Sequence, residues 1–319
     1  MISRARPLSF GISVTPYANA YPEIVAQVLA AERGGFDLVG IQDHPYQRRF
    51  LDTFHLIGDL LARTSRLRFF PDVGSLPMRP PAMIAKAAAS LDVMSGGRFE
   101  LGLGAGAFWD AVVGMGGPRR TLDERVGALE EAIAIIRTAL DVGPEKRVVR
   151  GTGPNYPIPG YPAGPPPAHR VEIWVGASIP RTLDLIGRVG DGWITSVGRT
   201  AMSEYRAGAD RLGESAAAAG RDPATIRRIF NVGGQITDGQ RGEGPLDGPV
   251  DQWVETLAGW ASEVGVDAFV VWPPDSGADF IDRFAAEVTP AVQAEVLAAS
   301  RARSSASSSR SSPNSNSFA

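Results

Sequence analysis

Apolar residues along this chain recur with two periods, and segments of the two kinds alternate. Residues 8–14 read as a first strand, and Ile24, Val28 and Ala31 mark one face of a helix that closes at Gly34 and Gly35. Residues 37–41 predict a second strand, followed by a charged loop and an amphipathic helix over about 52–63. A third strand is expected at 67–72, with a helix over 81–94 that carries proline near its first turn. The fourth strand spans 99–103, and Thr121 with Glu124 in capping-box spacing starts a helix over about 122–140. Strands at 172–175, 192–195, 226–232 and 268–271 complete the series, each before a helix-like stretch. Eight strand signals with alternating helices are the count of a closed α/β barrel, the (β/α)8 or TIM fold; the competing arrangement is an open doubly wound sheet. Between Ser13 and Ala20 the first strand-helix turn has no glycine-rich dinucleotide cradle, which favours the barrel.

Three stretches break the rhythm. An insertion over about 143–170 contains Pro154, Pro157, Pro159, Pro162 and Pro165 to Pro167, so it is stiff, and it reads as a lid or a surface excursion. Residues 233–249 are glycine-rich with few apolar anchors, which suggests mobility. From Ser304 to Ala319 nine of sixteen residues are Ser, with no periodic apolar positions to repay ordering. The expected organisation is one barrel domain over 1–299, with folded structure stopping between Val288 and Ala299, and a disordered tail over 300–319.

Composition narrows the chemistry. The 319 residues include no Cys, which removes disulfides, thiolate nucleophiles, iron-sulfur ligation and zinc-thiolate sites. Three His, at 44, 55 and 169, make a His-rich metal site a poor reading, and no metal is expected. Redox chemistry would therefore be borrowed from a cofactor. A formal charge of -3 without a basic stripe argues against nucleic acid, and no apolar run reaches the roughly 18 residues of a membrane span. The opening residues run straight into a strand-like segment with no apolar leader core, so a cytoplasmic location is expected.

In a barrel, function sits where strands end, and those positions hold the candidate residues. The second strand ends in Asp43-His44, where an Asp-His pair tunes a ring or moves a proton, or where Asp merely caps a turn. After the third strand, Gly74 allows close approach of backbone to a planar ligand and Ser75 offers a hydroxyl; a tight turn explains both equally well. The fourth strand feeds Gly102, Gly104 and Gly106, then Ala107-Phe108-Trp109-Asp110. The fifth feeds Gly176-Ala177-Ser178, whose amides and hydroxyl at a helix start suit a phosphate, a plain helix cap being the alternative. Arg181 lies in that first turn, and Thr195 and Ser196 on the next strand add hydroxyls. Arg199 and Arg228 read either as anion contacts or as solvated side chains.

The run Phe36-Asp37-Leu38-Val39-Gly40 with Asp43-His44, then Arg79-Pro80-Pro81-Ala82, Leu91-Asp92-Val93-Met94-Ser95-Gly96-Gly97-Arg98 and Leu101 to Gly106, closely resembles the bacterial luciferase-like superfamily of flavin and deazaflavin oxidoreductases. Gly176-Ala177-Ser178, Asp191-Gly192-Trp193 and Gly265 to Phe269 extend the likeness over nearly all of residues 8–290. The resemblance implies a barrel with an insertion, a homodimer, and coenzyme F420 or flavin mononucleotide (FMN) bound at the strand carboxyl ends. It implies a non-proline cis bulge near Val73, Gly74 and Ser75 behind the cofactor ring. Asp43 and His44 fall beside the reactive ring, with His44 as proton donor or ring-tuning group. Gly106, Ala107 and Phe108 border the ring, and Gly176, Ala177, Ser178 and Thr195 hold the phosphate. Several members carry Glu just after the fourth-strand glycines, whereas this chain has Ala107-Phe108-Trp109 before Asp110, so Asp110 stands as a replacement acid. The implied reaction is hydride transfer between F420 and a small organic substrate. The alternative is an FMN-dependent monooxygenase of a hydrophobic substrate, using molecular oxygen and a partner flavin reductase, with Phe108 and Trp109 keeping the pocket dry.

Overall fold

A computed structural model describes residues 6–141, 148–198, 202–274 and 277–310 of the chain. Strand β1 (Ser9–Val14) precedes α1 (Tyr21–Arg33), β2 (Leu38–Ile41) precedes α2 (Thr53–Arg63), and β3 (Arg68–Pro71) with β4 (Gly74–Ser75) precedes α3 (Pro81–Ser95). β5 (Leu101–Gly104) leads to a short α4 (Trp109–Gly114) and then α5 (Leu122–Leu140), whose start carries the expected Thr121–Glu124 capping box. After a hairpin of β6 (Val148–Gly151) and β7 (Ile158–Pro162) come β8 (Ile173–Gly176), α6 (Pro180–Val189), β9 (Gly192–Ser196) and α7 (Met202–Ala218). β10 (Arg227–Gly233), the short pair β11 (Gln235–Ile236) and β12 (Asp247–Gly248), α8 (Val250–Glu263), β13 (Ala268–Trp272), α9 (Gly277–Arg283) and α10 (Thr289–Arg310) follow.

Nine parallel strands pair in the order β3-β2-β1-β13-β10-β9-β8-β5-β4. The strand expected at 67–72 is β3, and the short β4 follows it past Asp72 and Val73, whose peptide is cis, where the family resemblance implied a bulge. The order therefore begins and ends on one segment of chain. A parallel bridge from Phe69 to Phe99 brings β3 against the approach to β5, so the sheet is near-closed and resembles a (β/α)8 barrel rather than an open doubly wound sheet.

Alternating side chains along the strands divide between two cores. Leu38, Phe70, Trp174, Ile194, Ile229 and Val270 meet inside the sheet, with Val73 against them. Their neighbours Val39, Phe69, Val175, Trp193, Phe230 and Phe269 pack outward under the helices. Each such side chain contributes about 1.5–3 kcal/mol on burial, so the layers are the main source of stability.

The amino ends of the strands carry a repeated polar device. A carboxylate at or beside the start of one strand accepts the backbone N–H that begins a neighbour: Asp37 from Phe10 (2.9 Å), Glu100 from Glu172 (2.7 Å), Asp191 from Ile173 (2.8 Å) and Asp267 from Arg228 (2.9 Å). These N–H groups would otherwise be buried without partners. His169 joins the layer through Nδ1 to Asp92 (2.7 Å) and Nε2 to Glu100 (3.2 Å).

Two segments differ from expectation. Helix α10 continues to Arg310, beyond the limit near Ala299, because Val292 and Val296 dock on the core and the Ala and Arg residues that follow favour more helix. Residues 311–319 of the expected tail lie outside the described residues. In the proline-rich stretch, 143–147 lie outside the described residues too, and the remainder forms the β6–β7 hairpin pinned to the flank of α5. There Glu131 accepts the N–H groups of Asn155 (3.0 Å) and Tyr156 (3.1 Å). Residues 235–236 and 247–248, in the glycine-rich stretch, pair as β11 and β12.

The hydrogen bonds to Asp92 and Glu100 hold the His169 imidazole up at about 9. A raised folded-state value means its contribution is complete below the ordinary imidazole value of about 6.5 and is lost as pH rises through about 9. Thermal unfolding of the native chain is expected to fall in midpoint across that window. H169Q should lower the midpoint at the acid end of the window, by about 2–4 °C, and flatten the slope; a native midpoint independent of pH there would refute the assignment.

Candidate active site

At the carboxyl ends of the strands lies a cavity of about 260 Å³. Asp43 and His44 follow β2 on one wall, Val73, Gly74 and Ser75 form the break between β3 and β4, Gly106 and Ala107 follow β5, and Gly176, Ala177 and Ser178 end β8. Thus most of the residues singled out from sequence come together around one space. Phe108 stands at the rim with φ 54 and 63% exposed, its ring edge-on to His44 at 5.5 Å between centroids.

Asp43 is buried, and its carboxylate is matched on both oxygens. Oδ2 accepts the Ser75 N–H (2.8 Å) and Arg79 Nε (3.0 Å), while Oδ1 accepts Arg79 Nη2 (2.8 Å). Arg79 also donates to Asp52 (2.7 Å) and lies 4.6 Å over the Phe54 ring. Burial resists ionisation of Asp52, but hydrogen bonds from Arg79 and His55 outweigh it and hold the group at about 2. Burial works against the Arg79 charge as well, and the two carboxylates overcome it and hold its guanidinium firmly protonated. Asp43, engaged on both oxygens, therefore anchors this wall.

His44 is the group left to titrate on this wall. Burial lowers its imidazole below the ordinary value, with Asp43 opposing, so the ring is neutral near pH 7. Tyr46, pushed up to about 12 by burial and by Asp43, keeps its phenolic proton. Its hydroxyl lies 2.8 Å from His44 Nδ1. The phenol and the imidazole share one hydrogen bond there, whose direction follows the imidazole tautomer.

Val73 explains two of the glycines. A β carbon on Gly104 would sit 2.7 Å from a Val73 methyl, and one on Gly176 3.0 Å from it. Both positions are thus kept free of a side chain by Val73, which lines the cavity as an apolar floor. Gly106 adopts φ 107, a backbone state that favours glycine.

The far end suits an anion, though not through the groups first expected. The Ala177 N–H donates to the Ile194 carbonyl (3.1 Å) within the sheet and Arg181 pairs with Asp123, so neither serves a ligand there. Ser178, Thr182 at the start of α6 and Arg125 on α5 line the wall instead. Arg125 crosses the Trp109 ring at 5.4 Å, and its buried Nε has no hydrogen-bond partner. An orphaned guanidinium nitrogen beside an apolar floor fits a phosphate-bearing planar cofactor.

Other expectations are corrected. Asp110 is 96% exposed in its side chain and paired with Arg119 on the outside of α4, because the left-handed turn at Phe108 starts that helix facing solvent. Thr195 lines a second cavity of about 570 Å³ with Tyr205 of α7, which meets the first only at Ser178. Arg228 is buried at the amino end of β10 and so meets no ligand here; Arg199 lies outside the described residues. Arg79, Tyr46 and Arg125 were not singled out as site residues. Tyr46 had a signal in standing two residues beyond His44, while Arg125 reads in sequence only as part of a well-capped helix. Among the described residues, no group of three or more His, Asp or Glu is placed to hold a metal, and no helix is long and apolar enough to cross a membrane.

Comparison with known proteins follows the same geometry. An F420-dependent glucose-6-phosphate dehydrogenase of Microbacterium testaceum is 34% identical over 201 residues, 60% of this chain and 58% of that relative. The chain thus spans less than two thirds of that relative's length. An F420-dependent secondary alcohol dehydrogenase, solved with an F420-acetone adduct, superposes with TM-score 0.78 at 20% identity, over 90% of this chain and 99% of the other. The oxygenating constituent of a diketocamphane monooxygenase of Pseudomonas putida, solved with FMN, gives TM-score 0.71 at 18% identity, over 89% and 98%. At such identities these two structures establish the fold alone. The family described as luciferase-like monooxygenase matches residues 8–240, from the approach to β1 to beyond β11, and the chain belongs to that family.

Proposed function

We propose that this chain is an oxidoreductase that transfers a hydride between coenzyme F420 and an organic substrate. One observation carries the reading: a single cavity joins the Val73 floor, the neutral His44 and an anion-binding end at Arg125 and Ser178. The F420-dependent activity named for the 34% identical relative points to the same cofactor class. When bound, the deazaflavin supplies the hydride acceptor or donor. Asp43 and Arg79 hold the Ser75 backbone and with it the floor. His44, neutral near pH 7 and tied to Tyr46 through Nδ1, stands at the mouth as the group that takes up or shares a proton with the substrate. Ser178 borders both cavities, leaving room for a ligand longer than the first space. The reading includes a fully closed (β/α)8 barrel, a cytoplasmic homodimer, and the proline-rich stretch as a flank element, since none of residues 148–170 lines the cavity.

A second reading, an FMN-dependent monooxygenase supplied by a separate flavin reductase, is favoured by the aromatic rim. Tyr46 and Phe108 face each other at 5.9 Å beside His44. Such a rim excludes water around a hydrophobic substrate.

Parallel titration of the purified protein with F420 and FMN, followed by absorbance and fluorescence, separates the readings. Micromolar or tighter binding of F420 is expected; binding of FMN alone would transfer the assignment to the monooxygenase, and binding of neither would sink both. R125A should weaken either phosphate-bearing cofactor about tenfold to a hundredfold, the scale of a charged hydrogen bond, and leave riboflavin affinity unchanged. Equal losses for FMN and riboflavin would remove Arg125 from the phosphate. Turnover by the loaded enzyme should decline as pH falls below about 6.5, where His44 gains charge, and H44A should abolish that inflection in single-turnover measurements.

A further inference from the structure

Three rings form a corner at the outer edge of the cavity. His44 and Tyr46 line the cavity, with centroids 5.6 Å apart and planes tilted by 47°. Phe108 stands 5.5 Å from His44 at 89° and 5.9 Å from Tyr46 at 53°, so each ring neighbours the other two. Its chain neighbours Gly106 and Ala107 line the same cavity. Phe50 extends the row, 6.3 Å from His44 and edge-on to Tyr17 at 5.0 Å, and Arg49 lies 5.2 Å over the Tyr17 ring. Tyr17 and Phe50 are thus engaged with one another, and His44 is tied to Tyr46. Phe108 differs, being 63% exposed and, among the described residues, the one non-glycine with positive φ. An aromatic residue is unfavourable there on two counts, since its ring stands in water and its β carbon crowds the left-handed backbone. Its two ring neighbours return only part of that, because most of the phenyl surface stays uncovered.

We propose that His44, Tyr46 and Phe108 form a subsite for a planar aromatic ring of the substrate, with Phe108 as its specificity-determining residue. Edge-on and tilted rings present edges and faces at steep angles to one another, the arrangement in which aromatic pairs attract beyond the area they bury. A planar ring that enters the corner takes up contacts of this kind and covers the exposed phenyl. A saturated ring of the same size covers the area but has no quadrupole to match. The Phe108 carbonyl accepts the N–H groups of Ala111 (2.9 Å) and Val112 (3.1 Å), so the ring is mounted on the first turn of α4 and is already in place when a ligand arrives. Backbone strain of this kind persists where the surrounding structure over-determines it, and here it holds an apolar ring beside the cavity. The proposal rests on the functional reading above and narrows its organic substrate to one that carries an aromatic system next to the group acted upon at His44.

The test measures Kd for benzyl alcohol and for cyclohexylmethanol, by ligand-observed nuclear magnetic resonance, in protein saturated with F420 or FMN, whichever the titration above shows to bind. The two probes share the hydroxymethyl group and ring size, and the saturated one is the more apolar, so plain burial favours cyclohexylmethanol. Native protein is expected to bind benzyl alcohol the more tightly, by about threefold to tenfold, the scale of one or two aromatic contacts. F108L keeps an apolar side chain without a ring and should remove or reverse that preference. F108G suits the left-handed backbone, should remove the preference in the same way, and serves should F108L fail to fold. Equal affinity of the native protein for the two probes, binding of neither, or a preference retained in both variants would overturn this proposal alone. Absence of binding to either cofactor would overturn the functional reading and this proposal with it.

Discussion

The buried carboxylate of Asp43 is the constraint around which the mouth of this barrel is arranged. A charge taken out of water must be fully matched, and loss of one partner typically costs about 3–5 kcal/mol. Its partners come from separate stretches: the Ser75 N–H from β4, and Arg79 from the turn before α3. Arg79 in turn reaches Asp52, which caps α2 by accepting from Phe54 and His55. One ion pair therefore locates the end of β2, the second piece of the broken strand and the start of α2. His44 and Val73 hang from that framework, so the His44 wall and the cavity floor are placed by the same ion pair.

The two ends of the barrel use carboxylates for different purposes. At the amino ends, Asp37, Glu100, Asp191 and Asp267 satisfy strand N–H groups, and their geometry leaves nothing open toward a ligand. At the carboxyl ends, polar groups without partners remain, namely Arg125 Nε and Asn231 Oδ1. Between the two lies an apolar layer of Phe70, Trp174 and Ile229 that keeps the ends apart. The strand-starting N–H groups are satisfied below that layer, and the cavity, with Arg125 on its wall, lies above it.

Much of the fold was legible because strand and helix periods leave direct marks on the chain. The Thr121–Glu124 box, the proline-started α3 and most strand positions follow from local chemistry, and they appear with shifts of one or two residues. The break between β3 and β4 left no mark in the periodicity of 67–72 and was anticipated only through the family resemblance, which implied a bulge near Val73. The extension of α10 was missed because serine content weighed against a helix that docking of Val292 and Val296 sustains. In the site, Asp43 and His44 were accessible from their places at a strand end, and Val73 through the family resemblance. Asp110 failed because register within a loop depends on one left-handed residue, Phe108, and Arg125 escaped because its helix position carries no sign of the cavity it faces.

The sequence by itself determined the alternation of elements, the absence of cysteine chemistry and the candidate strand ends, all of which depend on nearest neighbours and composition. Only the tertiary structure decided which charges are matched. Arg79 on Asp43, Asn231 across the barrel from Asp72, and Arg181 turned away to Asp123 are pairings between residues far apart in the chain. The physical reason is that hydrogen bonding and desolvation act through space. The spacing of residues along the chain carries no record of which buried polar atom is left without a partner.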